Sequence, residues 1–187
     1  MWYPSTVTVA PTVEPVTLVE AKEQCGILVG EAHFDGMLNR LIKAARAHAE
    51  EYCSARWAGQ TVTAQCDTFG DLARLPDGPL ESVTSISYVD PAGEEQTISD
   101  DVYEPRKDGL EPSIVLKSGQ SWPRIGFGSR IALTAVYGGE APDSVKHAML
   151  MLIGHWYVNR EAAVTGTIAT TIPIAVDALL CNHRRGA

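Results

Sequence analysis

The chain has 187 residues, 45% of them apolar and 20% charged, the balance of a soluble protein with one domain, or one domain carrying an insertion. Its 23 acidic and 15 basic side chains leave a formal net charge of −8. That excludes a nucleic-acid grip by bulk attraction, because phosphate binding needs a basic surface.

Residues 1 to 16 hold Pro4, Pro11 and Pro15 among Thr and Val, which predicts an extended arm. The arm has neither the charged start nor the continuous apolar core of a signal peptide. Free arms are usually disordered, so an ordered one needs a holder, and a neighbouring subunit is a natural one. Thr17-Leu18-Val19-Glu20 reads as a capping box opening a short helix that stops near Gly26. A longer helix is expected from about Glu31 to Arg56, with Phe34, Leu38, Leu41, Ile42, Ala45, Ala49, Tyr52 and Cys53 at helical spacing.

From Thr61 to Gly139 the composition turns to β-rich runs punctuated by Gly, Pro, Asp and Ser. Strands are expected at Thr61–Cys66, Ser82–Val89, Glu95–Ile98, Ser113–Lys117 and Arg130–Tyr137. Asp90-Pro91-Ala92-Gly93 makes a hairpin turn. The fold class is therefore α+β: a helical bundle of short and long N-terminal and long and short C-terminal helices, interrupted by a β-rich insertion over residues 59–139.

After Gly138-Gly139 the pattern becomes helical again. Val145, Ala148, Met149, Leu152, Ile153, Trp156 and Tyr157 form one face, with Pro142, Asp143 and Ser144 suited to the start and Arg160 to the end. Leu150 and Met151 lie off that face, so this helix has more apolar surface than one core contact needs. An apolar but unperiodic connector and a short second helix ending near Leu180 follow. No apolar run reaches the roughly 18 to 20 residues that span a bilayer.

Chemistry is hard to find. Gly126-Phe127-Gly128-Ser129-Arg130 lacks the glycine and Lys-Ser/Thr of a phosphate loop and reads as a turn. There is no G-x-S-x-G elbow. His147, His155 and Glu161 lack the i, i+4 pairing of a zinc helix, and Asp100, Asp101 and Glu104 lack calcium-loop spacing. Cys25, Cys53, Cys66 and Cys181 are scattered and read as free thiols of a reducing cytosol; no spacing favours zinc with His33, His48 or His183. Trp122-Pro123 is a loop with an aromatic anchor, suited either to plugging the β-rich part or to an interface. Arg184-Arg185 is a small basic tail.

In order, the chain carries PVTLVEAK, an Ala-rich helix ending EEYCSARW, LPDGPLESVTSISYVDPAGEEQTI, SWPR, then APDSVKHAMLMLIGHWYVNREA and IPIAVDALL. In that order and spacing it resembles the head–tail connector (adaptor) proteins of long-tailed phages, prophages and gene-transfer agents, from about Pro15 to Leu180. The most specific stretches are Pro15–Leu18, Pro79–Val83, His155–Glu161 and Val176–Leu180.

The resemblance implies a dodecameric ring below the portal in the neck of a phage or phage-like particle, assembled in the bacterial cytoplasm. The portal would lie on one side and a stopper or tail-terminator on the other, with DNA passing through the lumen. It implies no enzymatic activity, no cofactor, no metal and no membrane partner. It places portal contacts on the C-terminal segment, at Ile174, Val176, Asp177, Leu179 and Leu180, to which the tail adds Arg184 and Arg185. A ring needs two unlike surfaces on each subunit; Trp2, Tyr3, Trp122, Leu150 and Met151 are the subunit-interface candidates. A neck stopper or minor capsid protein is the structural alternative. A small hydrolase using His155 and a ligand-binding module with a deep apolar pocket are the others.

Overall fold

The computed structural model describes residues 1–159 and 174–186; the expected connector, with Arg160 and Glu161, lies outside them. The fold is α+β, and two compact units share the chain. One comprises Met1–Val13 and Ala58–Gly139, the other Glu14–Trp57 and Glu140–Ala187.

The first unit is built on β-strands. β1 (Thr6–Val9), β2 (Gln60–Cys66), β3 (Leu80–Val89), β4 (Glu95–Thr97) and β7 (Ile131–Tyr137) form one antiparallel sheet in the order β1-β2-β7-β3-β4. β5 (Tyr103–Arg106) and β6 (Ser113–Leu116) form a separate hairpin. Along β7, Ile131, Leu133, Ala135 and Tyr137 are buried and the residues between them are half-buried, so the period of two seen in the sequence maps directly onto the sheet's inner face. Val62 and Cys66 of β2 and Leu80 and Ile86 of β3 join them. Phe69, Leu72 and Leu75 close the core from a 3-10 turn and the loop after it.

The N-terminal residues are extended, as expected, but their holder is this same chain. β1 pairs with β2, and Trp2 bridges to Cys66. The Trp2 indole N–H donates to the carbonyls of Asp71 and Arg74 (3.1 and 2.7 Å), and the Tyr3 hydroxyl to Asp67 (3.0 Å). The Arg130 guanidinium lies 3.7 Å from the Tyr3 ring centroid. β5 is the other addition. Glu104, read as part of a solvated acidic loop, sits in this strand opposite Val115.

The second unit is helical: α1 (Leu18–Gln24), α2 (Asp35–Cys53), α3 (Asp143–Val158) and α4 (Ile174–Leu180). The capping box is present, with Thr17 N–H donating to Glu20 (2.7 Å) and Glu20 N–H to the Thr17 hydroxyl (3.2 Å). α2 is shorter than expected. A 3-10 turn over Ala32–Phe34 precedes it, and Ser54 ends it in the left-handed region at φ 52°. Leu38, Ile42, Ala45, Ala49 and Cys53 are its buried stripe, and the small alanines let α3 pack closely. α3 buries Val145, Ala148, Met149, Leu152 and Ile153; Trp156 and Tyr157 continue the stripe only half-buried.

Candidate functional site

Two charged groups shape the helical unit from inside. Lys22 is 3% exposed; its ammonium pairs with Asp35 at 2.6 Å and donates to the Val29 carbonyl at 3.0 Å. Glu50, 5% exposed, accepts from Arg46 (2.9 Å) and from the Trp57 backbone N–H (2.9 Å), while Arg46 also reaches Glu14 at 2.7 Å. Buried charges of this kind are tolerated only when paired and hydrogen-bonded, as both are here. They hold the turn after α1 and the exit from α2.

The C-terminal segment lies on its own unit. Val176 and Leu180 are fully buried. The Cys53 thiol donates to the Leu180 carbonyl (3.7 Å), and the Arg185 backbone N–H donates to the Cys53 carbonyl (2.9 Å). His183 lies 2.6 Å from the Ser144 hydroxyl and edge-on to Trp57, and the Arg184 guanidinium stands 5.5 Å from the Tyr52 ring centroid. Of the seven residues expected at the portal, Asp177 and Arg184 are exposed and Leu179 and Arg185 partly so. The Ile174 side chain is outside the described residues.

The aromatic interface candidates are half-buried in the β unit. Trp2 and Tyr3 anchor the arm, and Trp122 stacks on Phe69 with centroids 4.8 Å apart and planes 7° from parallel. Leu150 and Met151 are half-buried on α3.

Sequence reasoning missed three exposed apolar side chains in turns. Phe127 is fully exposed at a loop tip, and Leu28 and Val29 protrude from the turn between α1 and α2. A visible signal existed: Phe127 sits between Gly126 and Gly128, and Leu28-Val29 lies between Gly26 and Gly30. Apolar residues in glycine-bounded turns have no helix or strand face to bury them.

His147 is exposed, and His155 lies 3.4 Å from the Asn159 amide. Among the described residues no cluster of three or more metal-ligating side chains occurs, and no helix is long and apolar enough to cross a membrane. Burial pushes the Cys66 thiol up to about 12.

No family model and no curated protein matches the chain. Its fold does match chains in solved particles. A chain from the neck of an empty GTA particle computed with C6 symmetry is 21% identical, with a TM-score of 0.79, over 99% of this chain and 97% of that one. A chain from the virion of a native gene transfer agent particle gives the same identity, TM-score and coverage. One from the neck of a native GTA particle computed with C12 symmetry is 19% identical, with a TM-score of 0.73 and the same coverage.

Proposed function

We infer that this chain is a structural neck component of a phage-like particle: a head–tail connector whose copies close into a twelve-membered ring. The observation that carries the reading is the agreement of the whole fold, both units included, with chains in gene-transfer-agent particles, two of them from necks. In this reading one side of the ring meets the portal, the other a stopper or tail-terminator, and DNA passes through the lumen. The net charge of −8 suits a conduit, because acidic walls repel phosphates and leave little for DNA to stick to.

Portal contact falls on the outward part of the C-terminal segment: Asp177, Leu179 and Arg184. Deleting the segment is a poor test, since Val176 and Leu180 belong to the core of their own unit. Charge reversal at Asp177 and Arg184 leaves that core intact. Electron microscopy of particles carrying the chain should show a twelve-fold ring directly below the portal, and the double reversal should leave heads without it. A ring at another position, or full occupancy with both reversals, overturns the assignment.

A further inference from the structure

Phe127 is presented by a rigid turn. Ser129 N–H donates to the Gly126 carbonyl (3.1 Å) and Gly128 takes φ +71°, the positive φ that the third position of a type II turn requires. The turn is fastened to the end of β3: Gly126 N–H donates to the Val89 carbonyl (2.8 Å), and the Ser129 hydroxyl bonds to the Gly126 and Val89 carbonyls (2.8 and 3.2 Å). A side chain at Gly126 would run into the Asp90 carbonyl at 2.7 Å. Trp122 and Ile125 pack the preceding loop against the core. Arg124, exposed, flanks the tip, while the Arg130 guanidinium is turned onto the Tyr3 ring and the Gln65 amide oxygen. The nearby Asp90 carboxylate is turned into its own hairpin, accepting from Ala92 N–H, Glu94 N–H and the Gln96 amide.

The helical unit carries the complement. Leu28 and Val29 project from a turn held by the buried Lys22 ammonium on the Val29 carbonyl, by Ile27 N–H on the Lys22 carbonyl and by Glu31 N–H on the Leu28 carbonyl. The exposed carboxylates of Glu23 and Glu31 flank it. One tip is thus apolar with a basic flank at Arg124, the other apolar with acidic flanks, and both are held by hydrogen bonds before any contact, which lowers the entropy lost on binding.

We propose that Phe127 of one copy docks on the Leu28–Val29 turn of a second copy, with Arg124 facing Glu23 and Glu31, as one contact of the head-to-tail interface between subunits. Two unlike patches on one chain are what a closed ring demands. The contact rests on the ring reading, and its test is independent of the portal. The full chain carries the photoreactive analogue benzoylphenylalanine at position 127, is concentrated to on the order of 1 mM, where weak contacts are populated, and is irradiated. The expected product is a covalent dimer whose linked peptide lies within residues 23–31. F127S should weaken self-association about tenfold or more in sedimentation with an unchanged melting temperature. R124E should weaken it too, and pairing R124E with E23R and E31R should restore it.

No dimer, or a link mapping elsewhere, overturns the contact, as does failure of the charge swap to restore association. A chain that seats below the portal without this link keeps the neck role and loses the contact. A chain that links here but never seats on heads keeps the contact and loses the neck role.

Discussion

Glu50 shows how much one side chain decides. In the sequence it is one of two adjacent glutamates in a helix, indistinguishable from Glu51 by composition. In the structure Glu51 is exposed, while Glu50 is buried and satisfies Arg46 and the Trp57 N–H. Glu50→Ala should cost about 2–3 kcal/mol in urea unfolding, because it strands the Trp57 backbone donor and leaves Arg46 with Glu14 as its remaining carboxylate. Glu50→Gln should cost roughly half of that, since the amide oxygen still accepts from Trp57. The cysteines divide in the same way. Cys66 and Cys53 are fully buried, with thiols pushed up chiefly by desolvation, while Cys181 is exposed. Mass spectrometry after brief maleimide treatment at pH 8 should find Cys181 modified and Cys66 and Cys53 untouched until the protein is denatured.

Elements whose signals are local were legible. The capping box, the Asp90–Gly93 turn and the faces of α2 and α3 depend on residues within a few positions of one another. Thr17→Ala should cost about 1 kcal/mol by removing the cap. The hydroxyl and backbone N–H of Thr17 hold the Glu20 carboxyl below its ordinary value of 4.5. A carboxyl held low stabilises the fold above its unfolded pKa and loses that contribution as pH falls through its folded value. The melting temperature should therefore drop on acidification below about pH 4.5, and Thr17→Ala should flatten that drop. β1 and β5 escaped notice for the opposite reason. Thr6–Val9 alternates, yet its partner lies more than fifty residues away in β2, and all four of its residues are exposed. β5 contains Pro105, which demotes a strand by local rules. The start of β2 and end of β7 also meet at a glycine that the sequence marked only as a break before the helical pattern. Gly138, at φ +117°, lies where a Cβ would sit 2.4 Å from the Ala58 carbonyl. Gly138→Ala should destabilise the protein by about 2–4 kcal/mol, read as a lower urea midpoint.

At the scale of the whole molecule, function is a matter of surfaces. A chain of net charge −8 should give no mobility shift with duplex DNA at about 0.1 M salt; a stable complex would contradict an acidic conduit. The sequence alone determined the α+β class, the β-rich stretch between helical segments and the family resemblance that pointed to the neck. Each of these follows from composition, from periodicity or from the order of short motifs along the chain, and folding does not alter them. Only the tertiary structure decided which apolar residues remain for partners. Trp2, Tyr3 and Trp122 are half-buried by contacts within their own unit, and Val176 and Leu180 are fully buried in theirs. Phe127 lay in a stretch read as a plain turn and Leu28 and Val29 went unremarked, yet all three are exposed. The reason is physical: hydrophobicity belongs to the residue, but exposure is what remains after every distant neighbour has packed, and that sum exists only in the folded chain.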